Sequence, residues 1–321
     1  MIIFLSLLLS LEPLVLALTT DEHSDNWAVI LSASNFWFNY RHEANALGIY
    51  NELKKNGFPD SHIVLMVSDN FEDNPRNNQL GTVYCDTNLQ QNIFPPSRVI
   101  DYKGFEVNED NFIRVLTGNH PDGTPLNKQL RSSSQSNVIV YLTGHGNENV
   151  FKFRDKSQLS SEDLAMGVEI MKSKGRFKNL FFVLDTCQAS TMTTAVNTDG
   201  FFSICCSQLG ESGYATNYSP ELGTSLGDRF TDLLIKFLRA KRKEAEVERE
   251  RRKQRGEIYP VYPQSSATIV DFFKTLNPDY LQAHPVMRTD LVKQSPSTIL
   301  MDSFFVFKRN VQQLQIDSDD K

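Results

Sequence analysis

The sequence predicts an α/β fold, a mostly parallel central sheet flanked by helices on both faces. Three observations carry this. Short apolar runs recur at residues 27–32, 62–67, 138–142, 180–184 and 200–207, and unbroken hydrophobicity of that length marks strands covered on both faces. Segments with helical apolar spacing lie between several of them. Two runs also end abruptly in chemistry-bearing residues, one in Thr143-Gly144-His145-Gly146 and the other in Asp185-Thr186-Cys187.

Taken in order, the first run, 27–32, leads into a dense aromatic and polar loop at 35–42 (N-F-W-F-N-Y-R-H). A helix follows whose apolar face is Ala44, Leu47, Ile49, Tyr50 and Leu53; Gly57 and Pro59 end it. The run 62–67 completes a strand, helix, strand series, and that alternation implies right-handed crossovers between parallel strands. Residues 68–97, rich in Asn, Asp and Pro, read as an excursion at the sheet edge, and 99–107 as a short hairpin. A helix is predicted over 108–116, from its start chemistry and apolar stripe, ahead of the histidine strand 138–142. Roughly residues 160–173 supply the crossover helix to the cysteine strand. After the strand at 200–207 comes a loop, 208–213, then a helix over 230–238 that runs on into a mixed-charge stretch at 241–255, read as a solvated face. A last strand is expected at 300–307. No internal repeat is present.

A chain of 321 residues with a net charge of −6 has ample length for a core and no basic excess for nucleic acid. Residues 1–17 read as a secretory signal peptide: an apolar stretch, interrupted by Glu12-Pro13, that ends at the small residue Ala17 and is short for a membrane helix. No later stretch approaches a membrane span. Four cysteines, Cys85, Cys187, Cys205 and Cys206, are too few for a disulfide-built scaffold. A thiol kept free in an oxidising lumen needs a reason, and catalysis is one. Asn217-Tyr218-Ser219 is a lone glycosylation sequon, followed by Pro220.

If the strands at 138–142 and 180–184 are parallel neighbours, His145 and Cys187 emerge at the same sheet edge, where open α/β sheets place their chemistry. Cys187 is then the nucleophile and His145 the base that activates it and later protonates a leaving amine. Gly146 leaves its N–H open to approach, and with the N–H of Cys187 it can form an oxyanion hole. Asp185 reads as a strand-end turn residue and not as a triad carboxylate. His42, on the first helix, reads as structural. The other histidines show no zinc-ligand spacing, and no glycine-rich phosphate loop is present.

T-G-H-G at 143–146 and D-T-C-Q-A at 185–189, in this strand order, resemble the legumain-like clan of cysteine peptidases, which shares the caspase-type fold. Within that clan the chain is similar to the family of glycosylphosphatidylinositol (GPI) transamidase catalytic subunits. The supporting stretches are N-W-A-V-I-L (26–31), F-W-F-N-Y-R-H (36–42), P-D-S-H-I-V-L-M (59–66), N-P-R-N (74–77), S-Q-L-G-E (207–211) and R-T-D-L (288–291). The resemblance implies a caspase/legumain-like catalytic domain over 18–235, a charged helix or arm over 236–260, and a segment over 261–321 that packs on the catalytic domain and carries the final strand. It gives Cys187, His145 and the His-supporting Asn39 catalytic roles, and Ser207 a place in the substrate pocket. It implies no cofactor for the chemistry, but a structural calcium ion near Asp60, the carbonyl of Ile63 and Asp101, with Val99 where a carboxylate is expected. Asn147 stands where the family commonly has a second glycine, and Asp73 where relatives have a tethering cysteine. A carboxyl-terminal membrane helix found in several relatives is missing, so other subunits would hold this one at the membrane.

The function so implied is cleavage of the carboxyl-terminal signal of proproteins through a Cys187 thioester, then transfer of the new carboxyl end to the ethanolamine amine of GPI. The partners are those proproteins, the GPI lipid and other transamidase subunits, in the lumen of the endoplasmic reticulum. Two rivals are a legumain-type asparaginyl endopeptidase and a non-catalytic scaffold subunit.

Overall fold

The computed structural model describes residues 25–96, 99–257, 262 and 264–307; the expected signal peptide lies outside them. The chain opens with β1 (Asn26–Ser32), α1 (Tyr40–Lys55) and β2 (Ile63–Val67), followed by a two-residue β3 (Tyr102–Lys103). Next, α2 (Glu109–Thr117) precedes β4 (Asn137–Thr143). Three short strands, β5 (Gly146–Asn147), β6 (Val150–Phe153) and β7 (Ser157–Ser160), then form a separate small antiparallel sheet. After them come α3 (Ser161–Ser173), β8 (Asn179–Asp185) and β9 (Phe201–Cys205). A hairpin of β10 (Ala215–Ser219) and β11 (Thr224–Asp228) opens into the long α4 (Arg229–Gln254). The remaining elements are α5 (Ile269–Phe273), α6 (Pro278–Leu281), β12 (Val286–Arg288) and α7 (Asp302–Phe305).

The main sheet has the order β12-β9-β8-β4-β1-β2-β3. Its pairings are parallel except for β12 against β9. Each residue of β1, β2, β4 and β9 is buried, which is why their sequences show no alternation. From β1 the chain steps outward to β2 and β3, then returns to the other side of β1 for β4, β8 and β9. With right-handed crossovers this reversal puts helices on both faces and opens a crevice at the carboxyl ends of β1 and β4. The start signal at Asn108 acts as a cap, accepting from the Asn111 N–H at the head of α2, and Ser160 caps α3 in the same way, accepting from the Asp163 N–H.

Three expectations are corrected. Residues 99–107 are not a hairpin: Tyr102–Lys103 pairs parallel to β2, and a turn of 3-10 helix (Gly104–Glu106) follows. The last strand at 300–307 is a single bridge, Leu300 to Thr268, followed by α7. A short apolar run has no period long enough to separate strand from helix. Here β12 already occupies the edge beside β9, so Phe304 packs edge-on against the stacked rings of Phe181 and Phe202, 5.4 and 5.2 Å away. The boundary placed at 235/236 falls inside one unbroken helix, α4, which is buried at Leu234, Ile235, Phe237 and Leu238 before it becomes charged. The carboxyl-terminal segment does dock on the sheet: Asn26 Nδ2 donates to the Val306 carbonyl (2.8 Å), and Asn137 Nδ2 to that of Ser303 (3.0 Å).

Candidate active site

Three strand ends meet at the crevice. The ladder of β1 and β4 finishes at Ser32 and Thr143, and that of β4 and β8 at Thr143 and Asp185. His145 and Cys187 each lie two residues beyond the last paired residues of their strands, so the register sets them side by side. Both are half-buried. The Gly144 N–H still reaches the Asp185 carbonyl, at 3.4 Å, before the two chains part.

The third strand end supplies Asn39, at the head of α1 and fully buried. Its Oδ1 lies 2.9 Å from His145 Nε2, while its Nδ2 donates to the Asn35 carbonyl, at 2.7 Å. With the amide nitrogen so committed, Oδ1 must accept, which puts a proton on Nε2 and leaves Nδ1 as the basic nitrogen. Burial, and then the nearby Arg41 charge, hold the His145 imidazole below its ordinary pKa, so it is neutral and able to accept a proton at neutral pH.

Gly146 explains itself by contact. A Cβ there would sit 2.6 Å from Thr186 Oγ1 and 2.9 Å from the Cys187 carbonyl oxygen, so only glycine lets the histidine loop lie against the cysteine turn. The Lys152 N–H donates to the His145 carbonyl, which makes 145 and 152 a hydrogen-bonded pair of the β5–β6 ladder. Gly146 is therefore at the alternate position, with its N–H directed away from β6 and free for an oxyanion.

Beneath His145 lies a buried charged cluster. His42 stacks edge-on against the His145 ring at 5.1 Å and is 3.7 Å from Asp228. Arg41 Nε donates to Asp228 at 3.0 Å and Asn45 Nδ2 does so at 2.6 Å. Asp185, the last residue of β8, accepts from the Thr231 N–H and hydroxyl at the head of α4. Burial, reinforced by the Asp228 charge, pushes Asp185 up to about 7. Nothing in the linear sequence singles out Asn45 or Asp228. An acid just before a helix reads as a cap, yet the Asp228 side chain makes no cap bond and faces Arg41 instead.

One expected site residue is placed differently. Ser207 is wholly buried; its Oγ donates to the Thr186 carbonyl (2.9 Å) and accepts from the Ala189 N–H (3.1 Å). It braces the cysteine turn from below and presents no hydroxyl to a substrate pocket, because the chain leaving β9 passes under that turn. The residues expected at calcium are engaged with other partners. Calcium takes six to eight oxygen ligands, whereas both Asp101 oxygens accept N–H bonds, from Leu65 (2.9 Å) and from Asn127 Nδ2 (2.8 Å). Asp60 Oδ1 accepts from the Tyr50 hydroxyl and pairs with the Lys54 ammonium, each at 2.8 Å. Among the described residues no group of three or more His, Cys, Asp or Glu could hold a metal.

A thiol and an imidazole at adjoining parallel strand ends, with an amide orienting the imidazole, form the arrangement of a cysteine-peptidase-like enzyme. The chain belongs to the Peptidase C13 family, whose description matches residues 26–254. The "GPI-anchor transamidase" of Homo sapiens is 36% identical over 290 residues, 90% of this chain and 68% of that protein. The protein of the same name from Schizosaccharomyces pombe is 35% identical over 312 residues, 97% of this chain and 77% of its own length. That of Saccharomyces cerevisiae is 35% identical over 289 residues, with 90% and 66% covered. Among solved structures, caspase-1 from Spodoptera frugiperda aligns at TM-score 0.46 and 11% identity, over 90% of this chain and 94% of that one.

Proposed function

We infer that this protein is the catalytic subunit of a GPI transamidase, with Cys187 as nucleophile, His145 as base and Asn39 holding the imidazole. The observation that carries the reading is the Asn39–His145 bond beside Cys187, in a chain similar to GPI-anchor transamidases over nine-tenths of its length. His145 takes the thiol proton as Cys187 attacks the carbonyl of the residue that will carry the anchor. The Gly146 and Cys187 N–H groups hold the oxyanion. Collapse breaks the peptide bond, and His145 gives its proton to the departing amine of the hydrophobic signal. The GPI ethanolamine amine then attacks the thioester, loses a proton to His145 and forms an amide, while the thiolate takes that proton back.

No helix among the described residues is long and apolar enough to cross a membrane. We place the domain in the lumen of the endoplasmic reticulum, held at the membrane by other subunits of the complex.

The test uses microsomes in which this chain, or its Cys187→Ala form, is the only copy. A reporter proprotein is added with hydrazine as a surrogate amine, and the new carboxyl terminus is read by mass spectrometry. A hydrazide that disappears with Cys187→Ala is the expected result. A free carboxylate after asparagine, formed even with hydrazine present, would favour an endopeptidase, and full anchoring by Cys187→Ala would favour a scaffold.

A further inference from the structure

Beyond the Gly144–Asp185 bond the main-chain ladder between β4 and β8 ends, yet His145 and Cys187 both lie past it. Something else must hold the two loops in register. The residue after Cys187 stands out. Gln188 has a left-handed backbone, φ 53° and ψ 33°, which is uncommon for a residue with a side chain and persists only where its surroundings enforce it.

Those surroundings are hydrogen bonds from two separate loops and from the 3-10 turn that follows Gln188 itself. The Gln188 N–H donates to the Glu211 carbonyl at 2.8 Å, and its side-chain Oε1 accepts from the Gly210 N–H at 3.0 Å. Its Nε2 donates to Asn147 Oδ1, two residues past His145, at 2.6 Å. Its carbonyl accepts from the Thr191 hydroxyl at 2.8 Å, and that hydroxyl oxygen accepts from the Asn149 N–H at 2.9 Å. One primary amide thus spends its donor on the histidine loop and its acceptor on the 207–211 loop, a division that needs both kinds of atom on one side chain. The 207–211 loop is itself anchored, since the Glu211 carboxylate accepts from the His284 N–H at 2.7 Å and the Gln208 N–H at 3.0 Å.

We propose that Gln188 is a positioning residue, which holds the His145 loop at a fixed separation from Cys187 through its side-chain bridge to Asn147. The proposal rests on His145 and Cys187 being the reacting pair. Where no ladder reaches, this bridge and the Asn149–Thr191 link beside it carry the alignment, and proton transfer between thiol and imidazole is steep in distance.

The experiment measures alkylation of Cys187 by iodoacetamide in the full chain as a function of pH, with the modified peptide identified by mass spectrometry. Gln188→Ala and Asn147→Gly are each expected to slow the reaction at neutral pH by about tenfold. The double variant should be no slower than either single, because both remove one bridge. Asn147→Asp, which keeps the acceptor, should retain the wild-type rate, and thermal melting identifies any variant that fails to fold. Unchanged single variants, multiplying effects in the double, or loss of rate in Asn147→Asp would each overturn the proposal. His145→Ala separates it from the underlying reading: an unchanged rate there would dismiss the His145–Cys187 pair itself, and the bridge's role with it.

Discussion

A single hydrogen atom in place of a side chain decides how closely the histidine loop can approach the cysteine turn. At Gly146 an added methyl would lie 2.6 Å from the Thr186 hydroxyl and 2.9 Å from a main-chain oxygen, and neither group belongs to a long side chain that could swing aside. Thr186 is buried and its hydroxyl has no hydrogen-bond partner, so it already fills the space below. Gly146→Ala should therefore push the loop outward, moving both His145 and the N–H offered to the oxyanion. A loss of about a hundredfold in kcat, with KM little changed, is the expected result in the hydrazine reaction. A variant with full kcat would show that the loop relaxes freely and that the close contact has no catalytic meaning. At this scale the sequence was informative about placement, since His145, Gly146 and Cys187 do come to adjoining strand ends. It misled at Ser207, where an apparent pocket residue is a brace, because proximity along a loop says nothing about which way a hydroxyl faces.

Between elements, a buried polar link joins the helix after the first strand to the helix at the end of the hairpin. Glu52 of α1 is fully buried; Arg239 of α4 donates to its Oε1 at 2.8 Å, Arg242 of α4 donates to Oε2, and Lys55 lies 3.6 Å away. A carboxylate without exposure is tolerable only because these cations meet it. Glu52→Gln keeps the shape and removes the charge, leaving two guanidiniums facing a neutral amide. Both guanidiniums are partly exposed, 32% and 15%, so water recovers part of the loss. A destabilisation of about 2 kcal/mol is expected, read as a lower urea midpoint at unchanged slope. An unchanged midpoint would mean that the cluster behaves like a surface pair. This link also explains why the charged stretch after residue 241 continues the buried helix instead of forming a separate arm: its first turns are tied to α1. Charge alternation alone reads as a solvated face, and only the partner helix shows which charges are spent.

For the molecule as a whole, the notable electrostatic feature is a set of buried acids held above their ordinary range. Burial pushes Asp101 and Asp302 to about 6; burial with the Asp228 charge takes Asp185 to about 7; Glu43 is raised too, by burial and then by Glu72 and Asp69. A carboxyl whose folded pKa lies above its unfolded value binds more protons when folded. The stability it confers is complete below the unfolded value and is lost as pH rises through the folded one, here between about 4 and 7. The melting temperature should therefore fall between about pH 5 and pH 8, and Asp185→Asn should flatten that fall by roughly 1–3 kcal/mol. A melting temperature that rose over this interval, or an Asp185→Asn curve parallel to wild type, would refute the assignment.

The sheet was legible because a strand buried on both faces leaves an unbroken apolar run, and each of the runs at 27–32, 62–67, 138–142, 180–184 and 200–207 became a strand of it. The helix start at Asn108 was equally visible, since capping is a local hydrogen bond. Less could be read at the edges. The apolar run at 300–307 turned into a helix because another segment had taken the sheet edge, and the small sheet of β5 to β7 arose in a stretch with no strand signal of its own. The sequence by itself determined the order of strands and the residue types delivered to their ends, because both follow from local pattern. The tertiary structure alone decided which side chains face one another there. Asp228 against Arg41, Gln188 against Asn147 and Glu52 against Arg239 join segments from about 40 to nearly 190 residues apart, and no local rule specifies contacts across that distance.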